Sequence, residues 1–143
     1  IDLRTIDPRI KPYLQAALKW QKDTGFMPMF VEERRYDSLW NVCGTADLIG
    51  YFKMNGKPPL VNVFVDWKTN DWKMGQATSR WQLASYGHMF DPKEVFERIE
   101  VVLGPDGNYG PVNSFPVESY LEDCNTFCAL TIVARLRRQL NLI

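Results

Sequence analysis

From Asp7 to Gly25 the apolar positions Ile10, Tyr13, Leu14, Ala17 and Leu18 recur at helical spacing, with Pro12 where regular helix begins and Gly25 as its stop. From Met29 to Tyr36 the period changes to two. Asp37-Ser38-Leu39-Trp40-Asn41 reads as a turn and Val42 to Phe52 as a second extended run, which together predict a hairpin. Asn55-Gly56 and Lys57-Pro58-Pro59 are turn punctuation. Leu60 to Trp67 is then a β-branched, apolar run, the pattern of a strand covered on both faces. After the polar stretch Lys68 to Lys73, Gln76 to Phe90 carries Leu83, Tyr86, Gly87 and Phe90 on one helical stripe, closed by Asp91-Pro92. Val95 to Leu103 predicts a fourth strand, Gly104-Pro105-Asp106-Gly107-Asn108 a hairpin turn, Tyr109 to Val117 a short fifth strand and Glu118 to Leu140 a final helix. Helices placed before, between and after strands predict an α/β fold, a three-layer α/β/α sandwich around a central mixed sheet.

Composition narrows the picture. The 143 residues, 45% of them hydrophobic and 24% charged, suit a single domain with a real core and exclude a disordered tail. With 17 Lys+Arg against 17 Asp+Glu, no whole-molecule field draws the protein to a polyanion, so any nucleic-acid site must be local. No apolar run is long enough to span a bilayer, and the start of the chain carries no signal-peptide pattern. Cys43 lies far in sequence from Cys124 and Cys128, which argues against a disulfide framework and for a reducing compartment.

The third predicted strand ends Val65-Asp66-Trp67-Lys68, and alternation puts Asp66 and Lys68 on one face. Alone, that triplet describes an ordinary ion pair at a strand end. Asp47 changes the weight, because it interrupts the small and apolar run Gly44-Thr45-Ala46-Asp47-Leu48-Ile49-Gly50, where a charge is costly unless paired or bound to a metal. Two carboxylates brought close repel, whereas a hard divalent cation between them turns repulsion into coordination. The oxygen-rich set suits Mg²⁺ or Mn²⁺, and the single His and scattered Cys argue against structural zinc. Of Glu32 and Glu33 on the first strand, alternation lets only one join such a cluster. Gln82 and Tyr86, one helical turn apart, share a face.

Taken in order, Glu32, Gly44-Thr45-Ala46-Asp47, Asp66-Trp67-Lys68-Thr69 and Gln82-Leu83-Ala84-Ser85-Tyr86 resemble the E, G-x-x-D, D-x-K-T and Q-x-x-x-Y signatures of the PD-(D/E)XK nuclease superfamily, in its RecB-type branch that includes phage exonucleases. The resemblance covers roughly positions 8 to 103, about two thirds of the chain. It implies a restriction-endonuclease-like α-β-β-β-α-β core. It also implies a Mg²⁺- or Mn²⁺-dependent deoxyribonuclease, foremost an exonuclease, acting in recombination, repair or phage replication in a bacterial or phage-infected cytoplasm. On the same basis Asp47 and Asp66 bind the metal with the carbonyl of Trp67, and Lys68 orients or helps deprotonate the attacking water. Gln82 and Tyr86 then position the site or contact the DNA backbone, and Glu32 binds a second metal directly or through water. Three departures accompany the likeness. Ala46 stands where the superfamily's name has Pro. Many relatives carry an upstream R-G-x-x-x-H helix whose His helps bind metal, but the lone histidine here is His88, so either that helix lies outside this sequence or the site differs. The three cysteines do not match the four of the relatives that hold an iron-sulfur cluster, so no cluster is expected.

Around this set, Arg34, Arg35, Lys57, Thr69, Lys73 and Arg80 are candidate phosphate contacts, with ordinary solvated surface as the competing reading. Arg135, Arg137 and Arg138 are accounted for by the dipole at the end of the last helix, and His88 by a helix-end polar position. Among the tryptophans, Trp72 in its polar loop is the candidate for stacking on bases. Two functions compete: a metal-dependent DNA nuclease, and a non-catalytic DNA-binding or protein-interaction module on the same fold. A Ser-His-Asp or Cys-His enzyme would have to route through His88 with no nucleophile motif nearby.

Overall fold

The computed structural model describes residues 4–52, 63–69, 76–91, 93–94 and 96–142. Helix α1 spans Lys11–Thr24, with proline in its first turn and Gly25 ending it in the left-handed conformation at φ 68°. That cap reverses the chain directly into strand β1, Phe26–Asp37, which starts three residues ahead of the Met29 expected from alternation. The reason is tertiary: the ring of Phe26 is buried against Trp20 of α1, 5.1 Å between centroids. Strand β2 is Val42–Phe52, β3 is Val63–Lys68 and helix α2 is Gln76–Phe90. Strand β4, Glu97–Leu103, pairs with β5, Tyr109–Phe115. Pro116 has no amide hydrogen to extend that ladder, so β5 stops there and a 3-10 turn, Val117–Ser119, leads into helix α3, Tyr120–Gln139. Residues Leu60 to Asn62 of the expected third strand lie outside the described residues.

The elements form a mixed sheet in the order β1-β2-β3-β4-β5. β1, β2 and β3 run antiparallel in turn, β3 and β4 are parallel across the α2 crossover, and β5 returns antiparallel. Two cores follow from the pleat. On one face Val63, Val65, Ile99, Val101 and Leu103 pack with Ala16 and Trp20 of α1. On the other Ala46, Ile49, Phe64 and Phe96 pack with Leu83 and Ala84 of α2 and Tyr120 and Cys124 of α3. Every residue from Val63 to Asp66 is buried, in line with a strand covered on both faces. This is the expected α/β sandwich. No helix among the described residues is long and apolar enough to cross a membrane.

One polar network ties β4 to both helices of the second layer. The fully buried Arg98 donates to the Asp123 carboxylate at 2.7 Å, to the carbonyls of Arg80 and Pro116 at 3.0 and 2.8 Å, and to Ser119 Oγ at 3.1 Å. Arg80 reaches the same carboxylate at 2.7 Å. Burial alone pushes the Asp123 carboxyl up, but the bonds from Arg98, Arg80 and Ser119 outweigh it and hold the group below the ordinary carboxylate value. Arg80, one of the candidate phosphate contacts, is engaged in holding α2 to α3. A second tie fixes the β1–β2 turn, where Trp40 stacks on His88 at 4.0 Å between ring centroids, and Arg135 donates to the carbonyls of Trp40 and Asn41. Arg135 is thus a clasp between α3 and this turn, beyond any dipole effect at the helix end. Replacing Asp123 by Ala leaves the Arg98 guanidinium buried and unpaired, at an expected cost of about 3–5 kcal/mol. Urea unfolding of Asp123→Ala should show that loss as a lowered midpoint with an unchanged slope.

Candidate functional site

Among the described residues β2 and β3 pair from Gly50↔Val63 to Leu48↔Val65, and beyond Val65 β2 continues along β1 and β3 along β4. The sheet opens at that point. The amide of Trp67, beyond the last β2–β3 pair, donates to the Asp47 carboxylate at 3.0 Å, so a side chain takes over where the ladder ends. β2 turns over at the same residue: Ala46 belongs to the core beneath α2 and Leu48 to the core beneath α1. Across from it on β1, between the pairs Val31↔Leu48 and Glu33↔Ala46, Glu32 takes a left-handed φ of 54°.

Asp66 lies on the α2 side of β3, on the same face as Phe64, and is only 4% exposed. Lys68, two residues on and on the same face, places its ammonium 2.5 Å from Asp66 Oδ2 and keeps its side chain 30% exposed. On α2, Gln82 Nε2 donates to the Tyr86 hydroxyl at 2.5 Å. The phenol's own hydrogen is then free to donate elsewhere. The ring reaches the sheet because residue 44 is glycine: a Cβ there would come within 2.5 Å of the Tyr86 ring. The glycine of one predicted motif and the tyrosine of another are in contact.

The electrostatics follow from burial and from the acids. Burial raises the Asp66 carboxyl above its ordinary value, the nearby Lys68 ammonium works against this, and the charges of Asp47 and Glu100 add to it. Tyr86 is raised by burial first, against the Gln82 bond and with the fields of Asp66 and Asp47 behind it, so it remains a neutral donor at physiological pH. Asp47, Asp66, Lys68, Gln82 and Tyr86 thus converge at the opening of the sheet.

The outer candidates are arranged differently. Glu32 is exposed and, among the described residues, makes no hydrogen bond or ion pair. Glu33 instead lines a small gap with Tyr86 and Phe90 and pairs with Arg35 at 2.8 Å. The left-handed turn at Glu32 interrupts the alternation of β1, so Glu32 is exposed across from Asp47 while Glu33 turns toward α2. Arg34 and Thr69 are exposed, while Lys57, Trp72 and Lys73 lie outside the described residues. A groove of about 470 Å³ between α2, α3 and the start of β2 adjoins Gln82 and Tyr86 and is lined by Trp81, Phe127 and Leu130.

One acid escaped the sequence reading. Glu100 of β4 stands beside Asp66 in the parallel ladder and is fully buried. The signal was present, since Glu100 interrupts the apolar run Ile99 to Leu103 much as Asp47 interrupts β2. Among the described residues no three His, Cys, Asp or Glu side chains form a ready-made metal cage. No protein-family model and no curated protein matches the chain.

Two outcomes test this geometry. Gly44→Ala should lose about 1–3 kcal/mol by overpacking against Tyr86, and the double variant Gly44→Ala/Tyr86→Ala should lose less than the two single changes summed. As pH rises above 3.8, the unfolded chain releases the Asp66 proton before the folded chain does, so the metal-free fold loses stability through that window. In chelator, Asp66→Asn should therefore unfold at higher urea than the wild type at neutral pH, and the difference should vanish below pH 3.8.

Proposed function

We propose that the chain is a metal-dependent DNA nuclease of the PD-(D/E)XK type, hydrolysing phosphodiester bonds, and foremost an exonuclease of recombination, repair or phage replication. The observation that carries this reading is the convergence of Asp47, Asp66 and Lys68 where β2 and β3 part, with the Gln82–Tyr86 pair facing them from α2. Three separate stretches of sequence supply those residues, and each matches the signature its stretch resembles.

The donor set fits a hard divalent cation. Its oxygens are carboxylates and backbone carbonyl, no His or Cys takes part, and the buried Asp66 Oδ2 has only the Lys68 ammonium opposite it. Asp47, Asp66 and the Trp67 carbonyl would hold Mg²⁺ or Mn²⁺, which when bound supplies a Lewis acid to the phosphoryl group and lowers the pKa of water. The remaining work belongs to the chain. Lys68, partly exposed at the end of β3, is a cation able to steady an attacking water and the negative charge that develops on phosphate. Tyr86, neutral and with its hydrogen free, can donate to a phosphate oxygen while Gln82 fixes its hydroxyl. Burial of Asp66 keeps these charges in a low-dielectric setting, where each counts for more than in water.

The purified chain, incubated with linear and with closed-circular DNA in Mg²⁺, Mn²⁺ or chelator, should degrade linear DNA only when a metal is present. Lys68→Ala and Asp66→Asn should each slow it about 100-fold or more. Cutting of the circle as well would make it an endonuclease. DNA binding without cleavage in either metal would overturn the catalytic reading in favour of the binding module.

A further inference from the structure

Glu100 is an unusual place to find a carboxylate. It is fully buried, it sits directly beside Asp66 on the neighbouring parallel strand, and only one of its oxygens is satisfied, by Asn113 Nδ2 at 3.0 Å. Its Oε2 is buried and, among the described residues, without a hydrogen-bond partner. A desolvated carboxylate oxygen left bare is among the costliest groups a fold can carry, so its retention calls for a partner of opposite charge. The cations nearest in the fold are committed. Lys68 is paired with Asp66, and Arg98, two residues along β4, is bound to Asp123 and to the carbonyls of Arg80 and Pro116. Among the described residues Asp47, Asp66 and Glu100 have the Lys68 ammonium as the cation paired within their group, since the Arg98 and Arg80 guanidiniums both turn to Asp123, and a divalent cation between the three acids would offset the negative charge that remains.

We propose that Glu100 is a third carboxylate of the cation site, acting on the ion through its hydration shell rather than as a direct ligand, with Asn113 holding it in place. This rests on the nuclease reading above and deepens it. A hydration-shell role accords with the missing three-ligand cage, because Mg²⁺ keeps several of its waters and is held by only one or two carboxylates directly. It also gives the bare Oε2 a donor, since the waters around a divalent ion are strong hydrogen-bond donors aimed outward. Asn113, on β5, is the chain's means of setting the angle: its amide fixes Oε1 and leaves Oε2 turned away from that bond.

The test is Mn²⁺ binding by isothermal calorimetry on the wild type, Glu100→Gln, Asn113→Ala and Asp66→Asn, with circular dichroism to check the fold. Glu100→Gln keeps shape and the Asn113 bond but removes the charge, and should weaken Mn²⁺ binding about 10–100-fold, the range for groups that act behind the direct ligands. Asn113→Ala, which frees the carboxylate without removing it, should fall between that variant and the wild type. Wild-type binding abolished by Asp66→Asn but unchanged, within twofold, in Glu100→Gln would overturn this inference alone and leave the nuclease reading standing. If Glu100→Gln failed to fold, unchanged affinity in Asn113→Ala would overturn it instead. A wild type that binds no Mn²⁺ would overturn both.

Discussion

The bond from the Trp67 amide to the Asp47 carboxylate is the hinge of this molecule. Where two antiparallel strands diverge, backbone donors on the inner edges lose their ladder partners, and a buried amide without a partner costs about as much as a lost hydrogen bond. Asp47 supplies that partner from its own side chain, so β2 can leave β3 and follow β1 while β3 continues beside β4. The same bond holds the Asp47 carboxylate next to Asp66. One interaction therefore both permits the sheet to open and brings two acids into the opening.

Everything else that matters to the site is arranged around that opening. α2 must lie close enough for Tyr86 to look down on Asp66, and Gly44 provides the missing side chain that lets it. The helix is held at that distance from behind, by the Arg98–Asp123–Arg80 network to α3 and by the aromatic contacts of Phe90 with Phe64 and Phe96. A buried ion network of this kind adds little net stability over apolar packing, but it is intolerant of sliding, because a shift of an ångström breaks several charged bonds together. The cost of a site rich in buried acid is thus offset by a scaffold that cannot easily relax away from it.

Much of the architecture was legible along the chain. The bounds of β2 and α2 follow from periodicity and from flanking turn residues, because in each the local pattern agrees with the burial that results. The differences arise where distant contacts decide. β1 reaches back to Phe26 because Trp20 covers it, and β5 stops at Phe115 because Pro116 cannot extend the ladder and the 3-10 turn opens there. At the site, Asp47, Asp66 and Lys68 were visible as charges interrupting apolar strands, and Glu100 showed the same mark without belonging to any motif.

What the amino-acid sequence determined by itself is therefore the order and kind of the elements, and the identity of charges that must justify their burial. Both are local properties, set by side-chain period and by the expense of desolvation. Only the tertiary structure decided which charges answer one another. Register put Glu100 beside Asp66, a single left-handed residue left Glu32 exposed and turned Glu33 toward α2, and packing assigned Arg80 to Asp123 and Arg135 to the β1–β2 turn. Pairings of that kind join residues far apart in the chain. They depend on strand register and layer geometry, and neither leaves a trace in the spacing of residues along one segment.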